Sequence, residues 1–385
     1  MAEEHPEAVD APIVAFFAHK GGVSKTTNVL HLGWKLAQQF GQRVILVDGD
    51  PQCNLTQTLV PRSRTEDGWR DDVPCGNFYS CLQPLHYGHA DPGEQLPPAE
   101  LVMIKPKHFR AAGDGELLLL PGSLKLATLE PQLTMAHTLT SNASNFPLFF
   151  NIAGGAHSLL RQTARHYDAD IVLLDMGPSI GELNKNLFMS CDYFVTPVAP
   201  DQYCHNTVKT METVLPKWHH EQRALARATK HQTMPVNPVA PRFLGVVLSL
   251  FQVAGAQRRP VRQSAIWMQH VKNQVEHCLV PTLQERDMVV SVEDILPAEG
   301  TLAEIPNFLS LMPIAQRANY PVFAIPDEKY TELNEATGEY KPMAPSKIKP
   351  NQDRAKVFDG LYANFATVLL QTIRRDRGEE ATEEF

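Results

Sequence analysis

Nine residues, His19-Lys20-Gly21-Gly22-Val23-Ser24-Lys25-Thr26-Thr27, lie between an apolar run, Ile13 to Phe17, and a helical pattern beginning near Thr27. Strand, glycine-bearing turn and helix are the parts of a phosphate cradle. Backbone N–H groups of the turn point inward, the helix N-terminus adds partial positive charge, and Lys25 supplies a full one for the outer phosphates. In such a loop the hydroxyl of Thr26 faces Mg²⁺. The usual spacing is Gly, four residues, then Gly-Lys-Ser/Thr. Here Lys20 replaces the first glycine and Ser24 the glycine before Lys25. If position 24 needs a positive φ, its side chain costs roughly 1 kcal/mol.

Acids stand where a cation beside those phosphates needs them. Val44-Ile45-Leu46-Val47 reads as a strand buried on both faces of a parallel sheet, and Asp48-Gly49-Asp50-Pro51-Gln52 follows its carboxyl end. Asp170 and four apolar residues lead to Asp175, the Walker B arrangement, which places Asp175 at the sheet's carboxyl edge to hold Mg²⁺ through water. Strand-end carboxylates also suit turns.

The stretch Lys20 to Thr27 closely resembles the KGGVGKTT signature of the ParA/MinD family of ATPases. Asp48 to Thr56 resembles that family's D-x-D-P-Q-x-N-x-T switch, and Asp175 to Ser179 its D-x-x-P-S second switch. Leu124 to Leu133 is similar to its P-x-x-x-x-L-A-x-x-E segment, and Asn186 to Val198 to its N-A-L-x-A-A-D-x-x-x-x-P-V. The likeness runs from Pro12 to about Arg375, with gaps at 60–115 and 134–155. It implies ATP and Mg²⁺ as ligands, an ATP-dependent sandwich homodimer and slow hydrolysis. Within the ATP-binding loop, Gly21, Gly22, Val23, Ser24 and Thr27 cradle phosphate, Lys25 and Thr26 hold phosphate and metal, and Lys20 reaches the partner's phosphates. Asp50 orients the attacking water, Asp48 and Asp175 support the metal, and Pro306 and Asn307 pack beside adenine.

The elements that must position these groups are those of an α/β chain: a doubly wound, mostly parallel sheet flanked by helices. One ATPase domain over 12–375 is expected, with an irregular insertion at 60–115, where one helix is read around Pro97 to Ile104, and tails at 1–11 and 376–385. Thr134 to Asn151 reads as a loop, Ala156 to Arg165 and Asp201 to Leu215 as helices, and Tyr320 to Phe323 as a closing strand. Val357, Leu361, Phe365, Val368 and Thr372 mark a last amphipathic, core-packing helix. Hydrophobic residues at 43% and charged residues at 20% suit a globular chain. Six cysteines form no C-x₂-C pair, so reduced thiols and no metal cluster are expected. No run reaches the ~18 apolar residues of a membrane span, the opening residues lack a signal core, and the Glu-rich end is no basic membrane anchor. A cytoplasmic protein is expected.

The net charge of −8 argues against an all-basic surface, yet the balance reverses between Pro216 and Val275. Lys217, Arg223, Arg227, Lys230, Arg242, Arg258, Arg259, Arg262 and Lys272 there face a single acid, Glu221. Either this is a solvated face or a footprint for nonspecific DNA through Arg258, Arg259, Arg262 and Lys272. The first reading makes the chain a nucleotide-switched regulator or positioner of a protein complex. The second makes it a DNA- or plasmid-partition ATPase with a ParB-like or other activating partner. A metabolic synthase on the same fold would need a substrate pocket that no motif marks.

Overall fold

A computed structural model describes residues 10–60, 76–86, 88, 93–105, 109, 111–141, 147–255, 258–295, 298–334 and 338–379. The acidic opening residues 1–9, the Glu-rich end beyond 379, Cys75 and much of the 60–115 insertion lie outside them. The strands are β1 (Ile13–Phe16), β2 (Arg43–Gly49), β3 (Val102–Met103), β4 (Glu116–Leu120), β5 (Ile171–Met176), β6 (Tyr193–Val198) and β7 (Arg242–Phe251). A small hairpin of β8 (Val253–Ala254) and β9 (Arg259–Pro260) precedes β10 (Thr301–Pro306). Eight of them form one sheet in the order β10-β7-β6-β1-β5-β2-β4-β3, parallel throughout except for the antiparallel edge β3. The chain leaves β1 toward β2 on one side and leaves β5 toward β6 on the other. The carboxyl ends of β1, β2 and β5 therefore flank a point where winding reverses, the natural crevice of such a sheet.

The helices are α1 (Lys25–Phe40), α2 (Asn54–Leu59), α3 (Phe78–His86), α4 (Glu130–Ser141), α5 (Pro147–His166), α6 (Glu182–Met189) and α7 (Gln202–Thr229). Then come α8 (Arg262–Gln274), α9 (Val280–Gln284), α10 (Val292–Ile295), α11 (Leu311–Ala318) and α12 (Pro345–Asp376). Alternation along the strands decides which face each helix covers. Leu46 and Leu173, paired in register, point at Gly33 of α1, where a Cβ would meet Leu46 at 2.5 Å. Phe194, paired with Ala15 and so on the opposite face, meets Phe188 of α6, which meets Trp218 of α7. The long α12 joins α1 on the first face: the Tyr362 hydroxyl donates to Asn28 at 2.8 Å, and the Asn28 amide donates to Ser249 at 3.2 Å.

Several elements differ from the sequence reading. Within the insertion the helix is α3, where Phe78, Tyr79, Leu82 and Leu85 are buried at helical spacing and the Asn77 side chain accepts from Ser80 N–H at 3.0 Å. Pro97 to Ile104 is not helical and ends in β3, paired to Leu119 and Leu118. Helix covers most of 134–151, because α4 and α5 pack on each other and bury Ala136, His137 and Ile152. Helix α7 runs through Pro216 to Thr229. No strand forms at Tyr320 to Phe323, whose Val322 N–H is committed to His31 Nε2 at 3.0 Å. The buried stripe of α12 is Phe358, Tyr362, Phe365 and Leu369, so Val357, Leu361 and Val368 lie on its flanks. Asp376 is no tail residue: it pairs with Arg242 at 2.5 Å and accepts from the Tyr193 hydroxyl at 2.6 Å.

Candidate nucleotide site

The phosphate loop forms as its residues require. Gly22 adopts φ 73° and Ser24 φ 69°, so position 24 does need the left-handed backbone that a serine enters at a cost. Ser24 is the residue before α1 and its side chain caps nothing, which leaves the helix's first N–H groups directed at the loop. Lys25 is buried, and its ammonium donates to Ala18 O and Lys20 O, each at 3.0 Å, which leaves its third N–H for a ligand. Burial lowers its pKa, opposed by the charges of Asp175 and Asp50.

The two strand-end acids share one register step, Asp48 on β2 beside Asp175 on β5, on the face that α1 covers. Both are fully buried. Asp48 Oδ2 accepts from Thr56 N at 2.8 Å and Thr56 Oγ1 at 2.6 Å, whereas its Oδ1 and both oxygens of Asp175 have no hydrogen-bond partner among the described residues. Burial pushes Asp48 up to about 7 against the pull of the Thr56 bonds. Burial also raises Asp175 well above its ordinary value, with the Asp48 charge adding and Thr26 and Lys25 opposing. Orphaned carboxylate oxygens beside a threonine hydroxyl fit a hard divalent cation. Among the described residues no three His, Cys, Asp or Glu side chains converge, so the rest of that ion's oxygen shell would come from phosphate and water. The backbone leaves no slack here: at Gly122 a Cβ would meet Asp48 Cγ at 2.9 Å.

Asp50 is buried beside this pair, its Oδ1 accepting from Gln52 N at 2.9 Å. Lys20 points elsewhere in the single chain. Its ammonium donates to both Asp201 oxygens, at 3.0 and 2.8 Å, and to Cys204 Sγ at 3.4 Å, with the Tyr203 ring 5.3 Å away. Burial works against that charge, but Asp201 and Cys204 hold its pKa above the usual value. Asp201 had appeared in the sequence only as a helix start, and it does cap α7 by accepting from Cys204 N.

Residues 21–27 and Asp50 line a cleft of about 1370 Å³, which continues past α2 to α11, Lys329 and Tyr340. Pro306 and Asn307 are not among its walls: Pro306 is buried in β10, and the Asn307 carboxamide accepts from Leu309 N at 2.8 Å. The basic set is likewise divided. Lys272 is held by Glu299 and Glu304, both at 3.0 Å, and Arg242 by Asp376. Arg259 and Arg262 are exposed and Arg258 half-buried, following the carboxyl end of β7. Glu221, the segment's one acid, pairs with buried Lys185 of α6 at 2.6 Å.

A family model described as an AAA domain matches residues 11–225. The chain is 33% identical over 187 residues to the probable plasmid-partitioning protein ParA of Thermus thermophilus, covering 48% of this chain and 44% of that protein. It is 26% identical over 190 residues to the virulence plasmid ParA family protein pGP5-D of Chlamydia psittaci, covering 49% and 58%. The chain thus spans about half the length of the curated relatives it matches. The structure of pNOB8 ParA bound to nonspecific DNA superposes with a TM-score of 0.55 at 19% identity, over 95% of this chain and 99% of that one. Protein DIP2308 of Corynebacterium diphtheriae does so at 0.54 and 22%, over 77% and 92%. At those identities the likeness is one of fold.

Proposed function

We propose that this chain, which belongs to the ParA/MinD-type P-loop ATPases, binds and hydrolyses ATP with Mg²⁺ and serves DNA or plasmid partition in the cytoplasm. The observation that carries the nucleotide reading is the convergence of the loop at 20–27 with three unpartnered carboxylate oxygens on two neighbouring strands. Residues 21–27 would cradle the phosphates, with Lys25 and Thr26 on the outer ones. Asp48, Asp175 and Thr26 would hold Mg²⁺, which when bound neutralises phosphate charge. Asp50 would orient a water for attack.

Lys20 enters as a switch between partners. In the single chain Asp201 holds it, and in an ATP dimer it would leave Asp201 for the other subunit's phosphates. Half-exposed pairs of this kind are worth about 1 kcal/mol or less, so a phosphate can displace Asp201. The partition role is supported by the relatives' names and by the arginines at 258, 259 and 262, which pair with no acid among the described residues. The acids that hold Lys272 and Arg242 favour the other reading, a nucleotide-switched positioner of a protein complex that leaves DNA alone.

Titration calorimetry tests the nucleotide reading. Lys25→Ala should abolish measurable Mg²⁺–ATP binding, and an unchanged affinity would place the site elsewhere. Light scattering should report a doubled mass with a nonhydrolysable ATP analogue but not with ADP, and Lys20→Ala should lose that change. Equal masses with both nucleotides would end the sandwich model.

A further inference from the structure

The connection from β5 to α6, Gly177 to Gly181, is short of what ordinarily fixes a loop: it carries two glycines, and Pro178, Ser179 and Ile180 are exposed. Yet it stands where small shifts matter. Pro178 packs on the phosphate loop, 3.8 Å from where a Cβ on Gly21 would lie, and a Cβ on Gly177 would come within 3.3 Å of Asp50 Oδ1. This one connection thus spaces the loop from the acid. What holds it is a side chain outside the D-x-x-P-S motif. Asn184, in the first turn of α6 and 2% exposed, donates its amide to Gly177 O at 2.7 Å and to Ser179 O at 2.8 Å, which uses both of its N–H groups. Helix α6 is itself fixed, because Glu130 of α4 accepts from Glu182 N and Leu183 N. With two carbonyls drawn toward α6, only Pro178 of this connection lines the cleft, and a phosphate there meets an apolar ring rather than a carbonyl oxygen.

We propose that Asn184 is a positioning residue for ATP hydrolysis: by holding Gly177 and Ser179 it sets the second switch between the phosphate loop and Asp50, so that the water on Asp50 faces the outermost phosphate. This rests on the nucleotide reading above and adds to it the group that keeps the two halves of the site in register. Asn186, two residues on, supplies the contrast. It is as buried, at 3%, but donates to Ala153 O of α5 at 2.8 Å, away from the switch.

The experiment measures steady-state ATP turnover, Mg²⁺–ADP binding by calorimetry, and hydrogen exchange of the peptide over 176–182 in the nucleotide-free chain. Asn184→Ala should lower kcat by about 10- to 100-fold, the scale of a small misplacement of reacting groups, with KM and ADP affinity unchanged and exchange of the connection faster. Asn186→Ala removes an equally buried amide and should leave kcat and that exchange as they are in the wild type. Should Asn184→Ala fail to fold, Asn184→Ser keeps one donor where the amide had two, and it should lose part of kcat at unchanged ADP affinity. Equal losses of kcat in the variants at 184 and 186, an unchanged kcat at 184, or a fall in ADP affinity that matches the fall in kcat would each overturn the proposal. A wild-type chain that binds no Mg²⁺–ATP would instead overturn the nucleotide reading on which it stands.

Discussion

Asp175 shows how far a single residue in this site departs from what stability alone would select. A carboxylate with both oxygens buried, paired in register with Asp48, pays desolvation and like-charge repulsion that Thr26 and Lys25 offset only in part. Asp175→Asn should therefore stabilise the nucleotide-free chain, by about 1 kcal/mol or more, since a new amide N–H can donate to the orphaned Asp48 Oδ1. The same change should remove the stabilisation that Mg²⁺ adds to ATP binding. Thermal melts with and without Mg²⁺–ATP check both halves, and a variant that loses stability without ligand contradicts the reading. Ser24 makes a smaller version of the same point. Its left-handed φ of 69° costs a serine about 1 kcal/mol, of which glycine's extra unfolded-state entropy returns part, so Ser24→Gly should gain about 0.5 kcal/mol. A denaturant midpoint that does not rise would mean the serine side chain makes a compensating contact.

The parallel strands and the phosphate loop were legible because their signals are local: unbroken apolar runs ending in Asp48 or Asp175, and glycines at fixed spacing before Lys25. Elements whose reason for existing is a distant partner were not. The described residues of the Ser/Asn-rich 134–151 stretch are helical because α4 and α5 pack on each other, and Val322 gives up strand pairing because His31, 291 positions away, accepts its N–H. The start of α6, directly after the second switch, is the plainest case. Glu130 of α4 accepts from Glu182 N at 2.5 Å and Leu183 N at 2.9 Å, while buried Lys185 joins Glu182 at 2.7 Å to Glu221 of α7 at 2.6 Å. Only the i,i+3 step from Glu182 to Lys185 follows a spacing rule, and none ties that pair to residues 130 and 221. Lys185→Met should cost about 3 kcal/mol, the low end for breaking a buried pair because Glu221 is 46% exposed. Despite partial burial, Glu182 is held down to about 2 by His137 and Lys185. Its folded pKa lies below its unfolded one, so its contribution is present above about pH 4.5 and is lost as pH falls toward 2. In a urea series across that acid window, Lys185→Met should flatten the loss of stability; a wild-type slope in the variant would show that the bridge does not hold Glu182 down.

At the scale of the whole molecule the basic segment is not one surface. Helix α7 starts at the carboxyl edge, where Asp201 meets Lys20, and its 28 residues at about 1.5 Å each carry Arg223, Arg227 and Lys230 roughly 30 to 40 Å away. Arg258, Arg259 and Arg262 stay near the carboxyl edge, on the side of the nucleotide cleft, while Lys272 and Arg242 are already neutralised by acids. The positive residues counted along the sequence thus fall into separate groups, and if an ATP dimer joins its two copies across the nucleotide cleft, only the one at 258–262 lies on that joined face. If DNA binds that joined face, Arg258→Glu with Arg259→Glu deletes about four phosphate contacts per dimer. The slope of log affinity against log salt should then fall by roughly 3 to 4, at about 0.9 per contact, with ATP binding intact. Lys272→Gln removes a charge that Glu299 and Glu304 already absorb, and should leave the slope as it was. Mobility shifts of an ATP-locked dimer on duplex DNA across a salt series separate these outcomes. Loss of slope in Lys272→Gln would mean that its ion pairs open on DNA. A dimer that shifts no duplex even at low salt would leave the arginines as a solvated face and the positioner of a protein complex as the function.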